Sequence, residues 1–113
     1  MNLTNPIVVK IDGAEKFVRL LGGPPATAGM KSGFVTLKPG ESVGAHKTEG
    51  REEAIVILSG RASIFCRGEL FAVAEAASLA YIPPETAHDI KNAGDCDLRY
   101  VYVVAPVPAA GRP

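Results

Sequence analysis

The chain has no tryptophan, and it holds only two cysteines, two histidines, three tyrosines and four phenylalanines. Two cysteines, Cys66 and Cys96, are too few for a disulfide framework. A single Cys66–Cys96 bridge is open by count, but thiols in a reducing compartment stay free. Charge of either sign is not in excess: twelve Lys and Arg balance twelve Asp and Glu, without a basic cluster. Such a chain lacks the electrostatic footprint that phosphate backbones demand, so nucleic acid is not expected as a partner. Long apolar runs are missing as well. The apolar stretches are strand-length, far short of the roughly 20 residues that span a bilayer, and no membrane association is expected. The opening Met1–Pro6 has neither the basic nor the apolar region of a secretory signal, so the cytoplasm is the expected compartment.

What remains is ordinary globular material. With 113 residues, 47% apolar and 21% charged, residues 1–113 are expected to form one domain able to bury a core without covalent staples. Short runs rich in Val and Ile are broken every 8–12 residues by Gly, Pro or Asn, the rhythm of an all-β sandwich or barrel. Strands are predicted at Ile7–Ile11, Lys16–Leu21, Met30–Leu37, Val43–Lys47, Ala54–Leu58, Ala62–Cys66, Leu70–Ala74, Ser78–Ile82, His88–Lys91 and Leu98–Val104. Ser59-Gly60 is a tight-hairpin signal between two of these runs. The alanine-rich Val73–Leu79 has local helical character and is read as a loop. The tail, residues 106–113, is expected to lie on the surface.

The chemistry gathers around the two histidines. His46 and Thr48 are two apart on a predicted strand, so their side chains share one face. Glu53, Ile55 and Ile57 share a face of the next strand, and His88, Ile90 and Asn92 share a face of a later one. In a closed barrel these faces can turn inward together. Two imidazoles and a carboxylate then make a facial triad suited to Fe(II), Mn(II), Ni(II) or Zn(II), with open positions for water or substrate. Glu52 is a second carboxylate, but alternation turns it to the opposite face, so Glu53 is preferred. Each residue has a plainer alternative. A histidine can be a satisfied, partly buried side chain, and without metal Glu53 would tend toward its protonated form against an imidazole. Asn92 can cap the turn before Ala93-Gly94. Tyr81, Tyr100 and Tyr102 read as core or interface aromatics. Nothing in the sequence brings Cys66 to either histidine, and no nucleophile elbow or phosphate loop is present.

Gly40, His46, Glu53 and Gly60 fall on the first motif of the cupin superfamily, and Pro83, His88 and Asn92 fall on the second. The chain resembles a small single-domain cupin, with the first motif at residues 40–60 and the second at 77–92. The resemblance implies a cupin-type double-stranded β-helix, an antiparallel jelly-roll barrel, with His46, Glu53 and His88 as ligands of a divalent transition metal. Three positions depart: Thr48 stands where the family has a further histidine ligand, and Ala77 and Glu85 stand where it has glycines. A neutral hydroxyl is a weak metal ligand, so Thr48 would hydrogen-bond a metal-bound water at the fourth position, with Asn92 as the alternative for that place or for a contact to a ligand.

The function expected is a metal-binding cupin that binds, and in an enzymatic reading transforms, a small polar organic molecule. The alternative is a non-enzymatic ligand-binding or sensor-type barrel with a weak or absent metal site, and a third reading is a structural dimer with a vestigial pocket. A homodimer is expected, because Ile7–Ile11 and Leu98–Val104 are apolar on both faces and burying them would remove exposed edges.

Overall fold

The computed structural model describes residues 4–108, and every named element is a strand. The order is β1 (Phe17–Gly22), β2 (Lys31–Leu37), β3 (His46–Lys47), β4 (Arg51–Ser59), β5 (Arg61–Cys66), β6 (Glu69–Glu75), β7 (Ser78–Ile82), β8 (Ala87–Asn92) and β9 (Leu98–Pro106). They form two antiparallel sheets, a five-stranded one in the order β1-β2-β9-β4-β7 and a four-stranded one in the order β3-β8-β5-β6. After β2 the chain passes from one sheet to the other at every connection except the β5–β6 hairpin. That hairpin turns at Arg67-Gly68, both with positive φ, as a two-residue turn between twisted strands requires.

Alternation builds the core. Val35 and Leu37 of β2, Ile55 and Ile57 of β4, Ala62 and Ile64 of β5, Ile90 of β8, and Leu98 and Tyr100 of β9 all point between the sheets and are buried. Every second position on β4 and β8 is buried, which puts Glu53 in the row of Ile55 and Ile57, and His88 in the row of Ile90 and Asn92.

Several sequence expectations need correction. Residues 7–11 form no strand; Ile7, Val8, Val9 and Ile11 are exposed. β1 takes the place beside β2, and residues 7–11 pair with neither. Ser59-Gly60 is not a hairpin, because β4 and β5 lie in different sheets. Gly60 carries the chain across at φ 88°, so close to β9 that an added Cβ would sit 2.7 Å from the Asp97 carbonyl oxygen. Within Val73–Leu79, β6 continues to Glu75 and β7 begins at Ser78, leaving Ala76-Ala77 as the turn. Pairing with β5 and β4 overrides the helical preference of alanine there. Of the tail, Pro106 closes β9 and the Val107 N–H donates to the Gly50 carbonyl; residues 109–113 lie outside the described residues. Both cysteines are free, Cys66 at the end of β5 and Cys96 in the connection to β9.

Candidate metal centre and pocket

His46 and His88 are direct cross-strand partners of β3 and β8, so both imidazoles leave the same face of the smaller sheet. Their ring centroids are 4.1 Å apart and the rings are tilted by 59°. Each ring is held in the same way. The Nδ1 of His46 lies 3.1 Å from the Gly44 carbonyl oxygen, and the Nδ1 of His88 lies 3.1 Å from that of Thr86. With Nδ1–H donating to a backbone carbonyl, each ring turns its Nε2 edge away from that carbonyl, the orientation in which metal-ligating histidines are usually held.

Glu53 approaches from β4 in the other sheet, buried, with Oε1 3.0 Å from His88 Nε2. Burial lowers the His88 pKa, but the hydrogen bond to Glu53, the one to Thr86, and the nearby Glu53 and Asp89 charges outweigh it, and the net direction is upward. One donor atom from each of His46, Glu53 and His88 lies within 4.8 Å of the others. Two ligands at right angles on a metal with bonds of about 2.1 Å are about 3.0 Å apart, which is the His88–Glu53 separation. His88 and Glu53 are thus spaced as neighbouring ligands of a divalent first-row ion, and His46, within 4.8 Å, supplies the second nitrogen of such a set on closing toward them.

Glu52 points away and accepts a hydrogen bond of 2.8 Å from the Tyr81 hydroxyl. That bond, together with burial and the carboxylate's charge, raises the Tyr81 pKa. Thr48 is buried beside the cluster, but its hydroxyl is already engaged. It donates to the Pro83 carbonyl at 2.7 Å and accepts from the Thr86 N–H at 3.0 Å. Asn92 does not join the site. Its amide donates to the Leu37 and Cys96 carbonyls and its oxygen accepts from the Gly94 N–H, so it staples the loop before β9 at the other end of the barrel.

A pocket of about 470 Å³ opens beside the cluster. Arg51, Lys47, Tyr100 and Tyr102 line it together with His46, Thr48 and Glu53. Tyr100 belongs to the core and Tyr102 packs against it, as their reading from sequence has it, and both also border the pocket, whereas Tyr81 is exposed. The Tyr102 ring lies over Gly33, where an added Cβ would meet the ring at 2.5 Å. Strand parity could have found these residues: Arg51 is two before Glu53, and Tyr100 and Tyr102 share parity with the buried Leu98. Cys66 is the cross-strand partner of His88 on β5, a juxtaposition not visible in the sequence, but it is not one of the grouped donors.

Comparison with known proteins gives the same picture. The chain is 33% identical over 94 residues to a protein named polyketide synthase CurC from Streptomyces cyaneus, a match covering 78% of this chain. It is 34% identical over 68 residues, 60% of this chain, to a protein named oxalate-binding protein from Thermotoga maritima. It spans only 60% and 55% of the lengths of these two relatives. In fold it is similar to a cupin 2 conserved barrel domain protein from Salinispora arenicola, with a TM-score of 0.69 and 23% identity over 97% of this chain and 92% of that one. The cupin domain profile matches residues 33–104, from the second strand to the ninth and through both histidines. The chain belongs to the cupin family.

Proposed function

We propose that the barrel binds a divalent transition metal through His46, Glu53 and His88 and takes a small polar organic molecule into the adjoining pocket. The observation that carries this reading is the grouping of two imidazoles, each fixed by an Nδ1–carbonyl contact, and one buried carboxylate, with one donor atom of each within 4.8 Å of the others. When bound, the ion would act as a Lewis acid toward an oxygen of the ligand. The chain's own groups set the surroundings: the two sheets exclude water on the core side, and the Gly44 and Thr86 carbonyls fix the ring tautomers. A relative named as an oxalate-binding protein supports a small-molecule ligand.

A second reading has an observation of its own. The His88–Glu53 hydrogen bond and the engaged Thr48 hydroxyl leave these buried polar groups satisfied without an ion. This favours a non-enzymatic binding barrel. Elemental analysis after purification without chelator or metal-affinity resin, followed by Mn(II) and Zn(II) titration, decides between them. Up to one ion per chain, lost in His88→Ala, supports the first reading. Negligible metal after reconstitution gives the second.

A further inference from the structure

The pocket lining carries two cations and a single carboxylate. That carboxylate, Glu53, is held by His88, and one cation, Lys47, lies 3.7 Å from Glu85. Arg51 remains. It precedes Glu53 by two residues on β4, shares its face, lines the pocket at the exposed end of the strand, and makes no ion pair with the described residues. A guanidinium is a rigid fork of donors suited to a carboxylate.

Deeper in the pocket stands Tyr100, only 3% exposed, whose hydroxyl has no hydrogen-bond partner among the described residues. A buried hydroxyl costs free energy unless it is satisfied. Thr36 Oγ1 is the one buried side-chain polar atom sealed off without a partner among the described residues, so the Tyr100 hydroxyl opens into the pocket space. Burial and the Glu53 charge both raise its pKa, which keeps it a neutral donor. Between the two ends the wall is apolar, with Phe17, Val35, Val43, Ile90 and Val104.

We propose that the pocket is built for an organic acid with an apolar body, its carboxylate on the Arg51 guanidinium and an oxygen at its far end hydrogen-bonded by the Tyr100 hydroxyl. This deepens the small-molecule reading above and rests on it. The size follows from the register. Tyr100 pairs with Ile57, six positions from Arg51 on β4, which is about 20 Å of strand. Both long side chains close part of that span, and the apolar wall between them sets the body of the ligand.

The test uses three probes in calorimetric titrations: 4-hydroxyphenylacetate, phenylacetate, which lacks the far oxygen, and 4-hydroxyphenylacetamide, which lacks the charge. Wild type should prefer the acid over the amide by about 10- to 100-fold. Arg51→Gln should abolish that preference, and Arg51→Lys should keep part of it. The far hydroxyl should add several-fold affinity in wild type and nothing in Tyr100→Phe. Equal binding of acid and amide to wild type, a preference that survives in Arg51→Gln, or no binding of any probe overturns the proposal. Mn(II) titration of the same proteins tests the metal reading separately. Arg51→Gln should bind Mn(II) at least as tightly as wild type, since a neighbouring positive charge is gone. Metal binding without an acid preference sinks the ligand class alone. An Arg51-dependent acid preference without metal binding supports the ligand class and sinks the metal centre.

Discussion

Replacing Thr48 by valine keeps the side-chain shape and removes one oxygen. In the folded protein that oxygen donates to the Pro83 carbonyl and accepts from the Thr86 N–H, in a position only 5% exposed. Valine would leave the Thr86 N–H unsatisfied where water has little access, whereas Pro83 is only half-buried. A buried group stripped of its partner costs about 1–3 kcal/mol. For a chain of this length the unfolding entropy is about 0.24 kcal/mol/K, so each kcal/mol lowers Tm by about 4 °C. Thr48→Val should therefore melt about 4–12 °C below wild type in chelator-treated protein, by calorimetry or dye fluorescence. Thr48→Ser retains the hydroxyl and gives up a methyl group worth about 0.8 kcal/mol, a drop of about 3 °C. The loss should also reach the histidine, because the Thr86 whose N–H is released is the residue whose carbonyl fixes His88 Nδ1. Mn(II) affinity should fall by up to about 10-fold, the lower end for loss of an outer-shell partner. If Thr48→Val melts within a degree of wild type while Thr48→Ser melts lower, the hydroxyl does not hold the loop and the reasoning fails.

Three further outcomes are expected. The raised His88 pKa stabilises the metal-free fold fully below its unfolded value of 6.5, and that contribution is lost as pH rises through the folded value. Metal-free Tm should thus decline from pH 6 to pH 8, a slope abolished in Glu53→Gln, while Mn(II) affinity rises over the same range because the ion displaces the His88 proton; a flat metal-free profile in wild type refutes the assignment. Ala77 holds a left-handed φ of 67° in the β6–β7 turn, so Ala77→Gly should raise Tm by a few degrees, through relief of about 1 kcal/mol of strain; a lower Tm would count against strain at that position. Light scattering should show a homodimer, since exposed Leu79 and Tyr81 adjoin the half-buried Val56 and Val103 on the outer face of the larger sheet; a monomer at all concentrations would contradict this, and Leu79→Glu should weaken the dimer.

The strand-by-strand pattern was legible because alternation and turn residues are local. Nine of the ten predicted strands coincide with β1–β9 to within a few residues. The exception, residues 7–11, is an apolar run that pairs with no strand, because strand preference depends on context that the run itself does not carry. The positions of His46, Glu53 and His88 followed from parity within three separate strands. What those strands do to each other did not follow. Sheet crossing at Gly60, the commitment of the Thr48 hydroxyl to the Pro83–Thr86 backbone, and the meeting of Tyr100 with the pocket all depend on register between segments far apart in the chain. Ala77 and Glu85 stand where the cupin motifs carry glycine. The structure keeps both at positive φ, so the backbone demand survives the change of residue. At Glu85 the side chain offsets this by accepting the Gly50 N–H at 2.7 Å.

The three donors do not sit on equally firm ground. Glu53 lies within β4, flanked on both sides by β9 and β7. His46 rides on β3, a two-residue strand at the outer edge of its sheet. Edge segments with few backbone bonds open locally at far lower free energy than the whole molecule unfolds. The residence time of anything held by all three groups is therefore governed by the breathing of β3. Amide hydrogen exchange at Lys47 and the off-rate of a bound ion should share one clock, while the amides around Glu53 keep a slower one.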